Sequence, residues 1–201
     1  MTFHKLLIAN RGEIACRIIK SAHDMGISCV AVYVDADADS LFVKQADEAI
    51  RLSDSYLNSK EIIAAAKSTG AQAIHPGYGF LSENAKFSRD VLKEGLIWVG
   101  PNSRVITSMG DKLKAKVLAE KAGVPTLPMT TDPKKAGSIG FPVLIKAAAG
   151  GGGKGMRIVE TKKDLKESIL SAQREALSGF GDDRVFICLL YTSDAADELR
   201  S

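Results

Sequence analysis

The chain has 201 residues, 45% of them hydrophobic, which is enough to bury a core and to hold one or two domains. A formal net charge of +3, with acids and bases interleaved, argues against a dedicated nucleic-acid surface while suiting an anionic small molecule. Cys16, Cys29 and Cys188 are odd in number and lack CxxC spacing, which suggests reduced cytosolic thiols and not a disulfide framework or a zinc site. His4, His23 and His75 are too scattered to suggest a metal cluster, so no metal site is expected. No secretory h-region opens the chain and no apolar run approaches the roughly 18 residues of a membrane span, so no membrane contact is expected.

The first 100 residues alternate strand and helix signals. A short buried strand at 6–9 meets the turn Asn10-Arg11-Gly12, and a helix follows at 13–25, with Ile14, Ile18, Ala22 and Met25 at helical spacing and Gly26 closing it. A strand at 29–34 runs into Asp35, Asp37 and Asp39; a cation site is one reading of this run, but its alternation with alanine and the lack of a partner histidine favour a solvated loop. A short helix at 41–46, a strand at 49–52, a helix at 60–68 and a strand at 73–75 come next. A helix over 82–94 with Ser82 as its cap, and a strand at 96–99, complete the pattern. This βαβα rhythm predicts a doubly wound parallel sheet, whose ligands bind beyond the carboxyl ends of its strands. The turns at 10–12 and 75–80 fall at such ends.

A helix at 111–121 leads into a proline- and threonine-rich stretch, 125–133, read from its composition as a domain boundary. Val143-Leu144-Ile145-Lys146 then reads as a buried strand and Met156-Arg157-Ile158-Val159 as another. Between them lie Gly150, Gly151, Gly152, Gly153, Lys154 and Gly155. Glycine lets a backbone approach an anion and turn its N–H groups toward it, and nearby lysines add charge, as a lid over nucleotide phosphates requires. A flexible linker is the plainer alternative, but linkers are rarely framed by strands. A helix at 162–177, a polar turn at 179–183 and a strand at 184–187 follow.

Three further motifs carry chemistry. In His75-Pro76-Gly77-Tyr78-Gly79-Phe80-Leu81-Ser82-Glu83-Asn84, two glycines allow a sharp bend that brings Tyr78 to the sheet's edge. An ordinary strand-to-helix turn is the alternative, and His75 alone reads as a hydrogen-bonding core residue. In Met109-Gly110-Asp111-Lys112, Asp111 suits a helix cap, whereas a lysine in the first turn opposes the helix dipole. Reaching toward a phosphate would explain Lys112, and solvent exposure competes with that reading. Lys114, Lys116 and Lys121 read as a solvated face. Arg11 and Glu13 either line a site or pair with each other.

Taken together, Ile8–Ala15, Ala73–Asn84, Met109–Lys112 and Lys146 with Gly150–Met156 resemble the biotin carboxylase family in order and spacing, over residues 3–187. The resemblance implies a Rossmann-like α/β domain, residues 1–110, followed by the beginning of an ATP-grasp domain, residues 111–187. It implies a ligase in which MgATP phosphorylates bicarbonate to carboxyphosphate, which releases CO₂ beside the biotin ureido ring. By the same resemblance Lys112, Lys146, Gly150, Gly151, Gly152, Gly153, Lys154, Gly155 and Met156 contact ATP. His75, Gly77, Tyr78 and Gly79 form a wall near the biotin pocket, and Arg17 and Lys20 make dimer contacts. The implied partners are a biotin carboxyl carrier domain, a carboxyltransferase subunit and a second copy of the chain. The implied location is the cytoplasm, or the mitochondrial matrix in a eukaryote.

The pattern breaks after Ile187. Where many family members continue Glu-Lys-Tyr to grip the adenine, this chain reads Cys188-Leu189-Leu190, and residues 188–201 resemble translated adapter sequence. The expectation is therefore an N-terminal fragment, inactive alone, without the residues that hold magnesium and bicarbonate or act as base. Its first 125 residues are expected to fold well, 130–187 to be loosely held and 188–201 to lack fixed structure. A carbamoyl-phosphate-synthetase-like ATP-grasp ligase, or a non-catalytic nucleotide-binding or dimerisation module, is the alternative.

Overall fold

A computed structural model describes residues 2–150, 153 and 155–190, and the chain divides into two compact units after Thr107. In the first unit β1 (Lys5–Ile8), α1 (Gly12–Asp24), β2 (Ser28–Tyr33), α2 (Leu41–Gln45), β3 (Glu48–Arg51), α3 (Ser59–Thr69), β4 (Ala73–His75), α4 (Ala85–Lys93) and β5 (Ile97–Trp98) alternate. The strands form one parallel sheet in the order β3-β2-β1-β4-β5, the α/β architecture expected from the sequence.

Strand side chains alternate between two cores. Leu7, Val30, Val32 and Ile74 join Ile62, Ala66, Phe87 and Val91 of α3 and α4 on one face. Leu6, Ile8, Cys29 and Ala31 join Ile14, Ile18, Ile19 and Ala22 of α1 and Phe42 of α2 on the other. With both faces covered, the strands can be apolar almost throughout. Each large side chain buried in full, such as Leu7, Ile8 or Ile62, contributes about 1.5–3 kcal/mol.

The strand order reverses at β1, which has β2 on one side and β4 on the other. An open parallel sheet leaves a crevice at such a switch point, beyond the carboxyl ends of its strands. The turns after β1 and β4 meet there.

Two local expectations are corrected. Met25 is 74% exposed, because α1 has already ended at Asp24 and the chain turns through Gly26 at φ +72°. The next concerns α4, which begins at Ala85 with Asn84, not Ser82, as its cap; Asn84 Oδ1 accepts the Phe87 N–H at 3.0 Å. Asn84 itself is extended, at φ −90° and ψ 98°, which separates the turn at 80–83 from the helix.

The second unit begins within α5 (Ser103–Gly110), where no element was expected from the sequence, and continues with α6 (Lys112–Lys121). Then come β6 (Met129–Thr130), α7 (Ala136–Ile139), β7 (Val143–Ala147), β8 (Arg157–Val159), α8 (Leu165–Phe180) and β9 (Val185–Leu189). Its strands form an antiparallel sheet in the order β6-β9-β7-β8. Val143, Ile145, Val159 and Ile187 pack with Leu165 and Ala172 of α8.

Residues 125–133 lie inside this unit, and Met129 and Thr130 pair with Cys188 and Ile187. A proline- and threonine-rich stretch here supplies a short edge strand instead of a boundary. Strand β9 also runs through Leu189, two residues into the stretch assigned to the tail, and Cys188 is 8% exposed. Residues 191–201 lie outside the described residues. Among the described residues no helix is long and apolar enough to cross a membrane.

Candidate active site

In the first unit the crevice at the switch point is a cleft of about 460 Å³ lined by residues 10–14 and 78–80. Asn10, 2% exposed, anchors it. Its Nδ2 donates to the carbonyl oxygens of Pro76 and Tyr78, both at 2.7 Å, and its Oδ1 accepts the Arg11 N–H at 2.9 Å. Gly77 must be glycine: at φ +63° a Cβ would stand 2.6 Å from Asn10 Nδ2.

Tyr78, 60% exposed, donates its hydroxyl to Glu13 Oε1 at 2.5 Å. That bond holds the phenol proton on and pushes its pKa up. With the proton committed to Glu13, the phenol oxygen is left to accept a hydrogen bond from a ligand N–H. His75 and Gly77 do not line the cleft. His75 braces the turn from behind, its Nδ1 accepting the Gly77 N–H at 3.0 Å. Burial, and then the charge of Arg17, push the His75 pKa down, so its ring is neutral at pH 7 and serves as an acceptor.

Arg11 and Glu13 do not pair with each other. Arg11 makes a two-bonded ion pair with Asp37, Nε to Oδ2 at 2.6 Å and Nη2 to Oδ1 at 2.5 Å. Asp37 also accepts the Tyr56 hydroxyl at 2.6 Å and is 4% exposed. It is therefore no solvated loop residue, and the expectation for this acidic run is corrected at Asp37. The Arg11 guanidinium, with the Tyr56 hydroxyl, holds the Asp37 carboxyl down at about 2 despite its burial. Burial, and then Asp37, push the Tyr56 phenol up to about 12. The Tyr56 ring in turn packs on Phe80, centroids 5.3 Å apart. The sequence signal for this network was weak: an acid in an alternating Asp-Ala run does not reveal that one register alone points inward.

Folding also brings His23, Cys29 and Asp47 together, ligand atoms within 4.8 Å of one another. Asp47 Oδ2 accepts the Cys29 N–H at 2.7 Å and pairs with His23 Nε2 at 2.9 Å, which ties α1 to the start of β2. Burial, and then Asp47, push the Cys29 thiol up to about 11.

In the second unit β7 ends on Lys146 and Ala147, and the glycine run follows. Alternation along β7 buries Val143, Ile145 and Ala147 in the core and turns Lys146 to the other face, with Leu144. No hydrogen-bond or ion-pair partner of Lys146 is found among the described residues. Lys112 answers the dipole objection directly: its Nζ donates to the Gly150 carbonyl and to that of Ala149 at 3.4 Å. The ammonium thus holds the start of the loop. Asp111 caps α6 by accepting the N–H groups of Leu113 at 3.0 Å and Lys114 at 3.1 Å, and pairs with Arg184 at 3.1 Å.

Two glycines of the loop are fixed by packing. A Cβ on Gly150 would stand 2.1 Å from the Phe180 ring, and one on Gly155 would stand 3.2 Å from Ala147 Cβ, both at positive φ. Gly153 is exposed, with φ +78°, and Met156 is 40% exposed. Gly151, Gly152 and Lys154 lie outside the described residues. Lys116 is not on a solvated face: its side chain is 15% exposed, with Nζ donating to the Leu127 carbonyl. Burial raises the Cys188 pKa, while Lys146 and Lys116 pull it down, so both ammonium groups stand near that thiol. Helical spacing from Lys112 could have flagged Lys116, one turn on.

On α1, Arg17 and Lys20 are exposed, Lys20 pairing with Asp24 at 2.7 Å.

A doubly wound parallel unit, followed by an antiparallel unit in which β7 and β8 flank a lysine-gripped glycine loop, defines a Rossmann-like domain leading into an ATP-grasp domain. The family model for the biotin carboxylase N-terminal domain matches residues 2–106, and that for the carbamoyl-phosphate synthase L chain ATP-binding domain matches residues 111–190. The propionyl-CoA carboxylase alpha chain of Ruegeria pomeroyi is 50% identical over 92% of this chain and 29% of its own length. The mitochondrial methylcrotonoyl-CoA carboxylase subunit alpha of Dictyostelium discoideum is 50% identical over 91% of this chain and 28% of its own. Among solved structures, a Campylobacter jejuni biotin carboxylase complexed with a β-γ-ATP ligand matches with TM-score 0.90 and 43% identity, over 95% of this chain and 46% of that one. The biotin carboxylase domain dimer of Hydrogenobacter thermophilus 2-oxoglutarate carboxylase, in complex with MgADP, ADP and bicarbonate, matches with TM-score 0.88 and 41% identity, over 96% and 45%. The chain belongs to the biotin carboxylase family. It spans 29% of the length of its Ruegeria relative.

Proposed function

We propose that this chain is the amino-terminal part of a biotin carboxylase, in which it supplies the lysines and glycine loop that hold the ATP phosphates and a wall of the biotin pocket. The observation that carries this reading is Lys146. A half-buried ammonium without a hydrogen-bond or ion-pair partner among the described residues, on the strand that feeds a glycine loop, fits an anion. Lys112, docked on the carbonyls at the loop's start, fits the same role.

When bound, ATP supplies the phosphoryl group that activates bicarbonate. Lys146 would offer charge to its phosphates, and the Gly150–Gly155 backbone would offer N–H groups. Tyr78 offers an acceptor oxygen at the cleft of the first unit. Magnesium ligands, the bicarbonate site and the base are assigned to residues beyond the motifs matched here, so residues 1–201 alone are expected to cleave no ATP in response to biotin. Exposed Arg17 and Lys20 on α1 are proposed to meet a second copy. The carrier domain and carboxyltransferase are proposed partners, the latter setting which acyl-CoA is served. The cytoplasm is the proposed location, or the mitochondrial matrix, as for the mitochondrial relatives.

The N-terminal family match favours this reading over a carbamoyl-phosphate-synthetase-like ligase, with which the ATP-binding match is shared. ADP formation by the full-length polypeptide tests it. Release that requires both biotin and bicarbonate is the expected result, and release indifferent to biotin overturns it.

A further inference from the structure

We infer that Asn10 is a positioning residue, whose side-chain amide holds the 76–80 turn in the one conformation that presents Tyr78 to substrate. The inference rests on the proposed reading of this turn as a wall of the biotin pocket. The turn is costly by construction. Gly77, Gly79 and Phe80 all lie at positive φ, and Phe80, at +41°, is the one non-glycine residue there among the described residues. Such strain persists only where surrounding contacts over-determine it, and it gathers at functional sites.

What the strain achieves is unusual for a structural turn. Tyr78 and Phe80, at 60% and 44% exposure, contribute little to either core of the sheet, and the turn holds these aromatic rings at the surface of a cleft. Asn10 grips the head of the turn by giving both amide protons to the Pro76 and Tyr78 carbonyls, at 2.7 Å each. Its own oxygen is fixed by the Arg11 N–H, so the amide cannot flip without losing all three bonds. Gly77 is the matching half of the clamp, since any Cβ there would press on Asn10 at 2.6 Å. The tail of the turn is held separately, by Phe80 on Tyr56 and by Tyr56 on Asp37. Tyr78 sits between these two anchors, its hydroxyl set on Glu13. Aspartate at position 10 would keep the Arg11 contact and lose the two-carbonyl grip, because a carboxylate has no N–H to donate.

The test uses the full-length polypeptide, with free biotin as the varied substrate and ATP binding measured directly by calorimetry. Asn10→Ala is expected to raise KM for biotin about tenfold or more while leaving ATP affinity within about twofold. A merely structural role would lower the folded fraction, and so kcat, with KM unchanged. Gly77→Ala, which attacks the clamp from the other side, is expected to give the same split and carries the test if Asn10→Ala does not fold. Tyr78→Ala separates the two layers of the argument. If it raises KM for biotin and the clamp variants do not, the positioning role of Asn10 is overturned and the wall reading stands. If Tyr78→Ala leaves KM for biotin unchanged, the wall reading itself fails and the inference falls with it.

Discussion

Replacing Asp37 by asparagine keeps the side chain's shape and removes the charge that Arg11 and Tyr56 were built around. The magnitude follows from the site. Asp37 is 4% exposed, accepts both Arg11 bonds and the Tyr56 hydroxyl, and has its carboxyl held at about 2 against an ordinary 3.8. A difference approaching two pH units corresponds to about 2 kcal/mol of stability. Because the folded value lies below the unfolded one, this contribution is complete above the unfolded value and is lost as pH falls toward the folded one. Asp37→Asn lacks it at every pH and is expected to be less stable by about 2–3 kcal/mol at neutral pH. Urea unfolding of the chain can be followed at Trp98, its single tryptophan, which is buried edge-on against Phe87 at 5.4 Å in the first unit. The gap between wild type and variant should close as pH drops from about 5 to about 2. A gap that stays constant across that range would refute the argument, since a steric cost does not titrate.

Other expectations are as direct. Gly150→Ala should destabilise the second unit by about 1–3 kcal/mol, because its Cβ would overlap the Phe180 ring at positive φ; adding Phe180→Ala should recover part of the loss in hydrogen exchange of β7. Asn84→Ala should cost the first unit about 1 kcal/mol in urea unfolding through loss of the α4 cap. Lys146→Gln in the full-length polypeptide should weaken ATP binding about tenfold or more by calorimetry, while Lys114→Gln, exposed on α6, should do little; equal effects would mean the phosphate site is elsewhere.

The architecture of the first unit was legible because its strands are short apolar runs separated by helices with clear stops, such as Gly26 and Gly70. The strand ends, and so the meeting of the 10–12 and 75–80 turns, followed from the parallel topology. Asp37 was not legible, because burial of one aspartate in an Asp-Ala alternation depends on Arg11 arriving from the turn after β1, 26 residues earlier. The 125–133 stretch misled for a similar reason: composition signalled a linker, while pairing of Met129 and Thr130 with β9 comes from a partner nearly 60 residues away. Lys116 is a partial case: its place one turn after Lys112 is a local signal, but the Leu127 carbonyl that receives its ammonium is not. Local pattern thus located both loops, and tertiary contacts decided which charges face them.

The proposed function makes this chain the phosphate-binding part of an enzyme that activates bicarbonate with ATP in order to carboxylate biotin. Bicarbonate labelled with heavy oxygen tests it most directly, supplied to the full-length polypeptide with ATP and free biotin. Attack of a bicarbonate oxygen on the γ-phosphorus, followed by loss of CO₂, leaves that oxygen in the released phosphate. Labelled phosphate should form in step with carboxybiotin, and both products should be lost together in Lys146→Gln. Unlabelled phosphate, or labelled phosphate formed at the same rate without biotin, would contradict it.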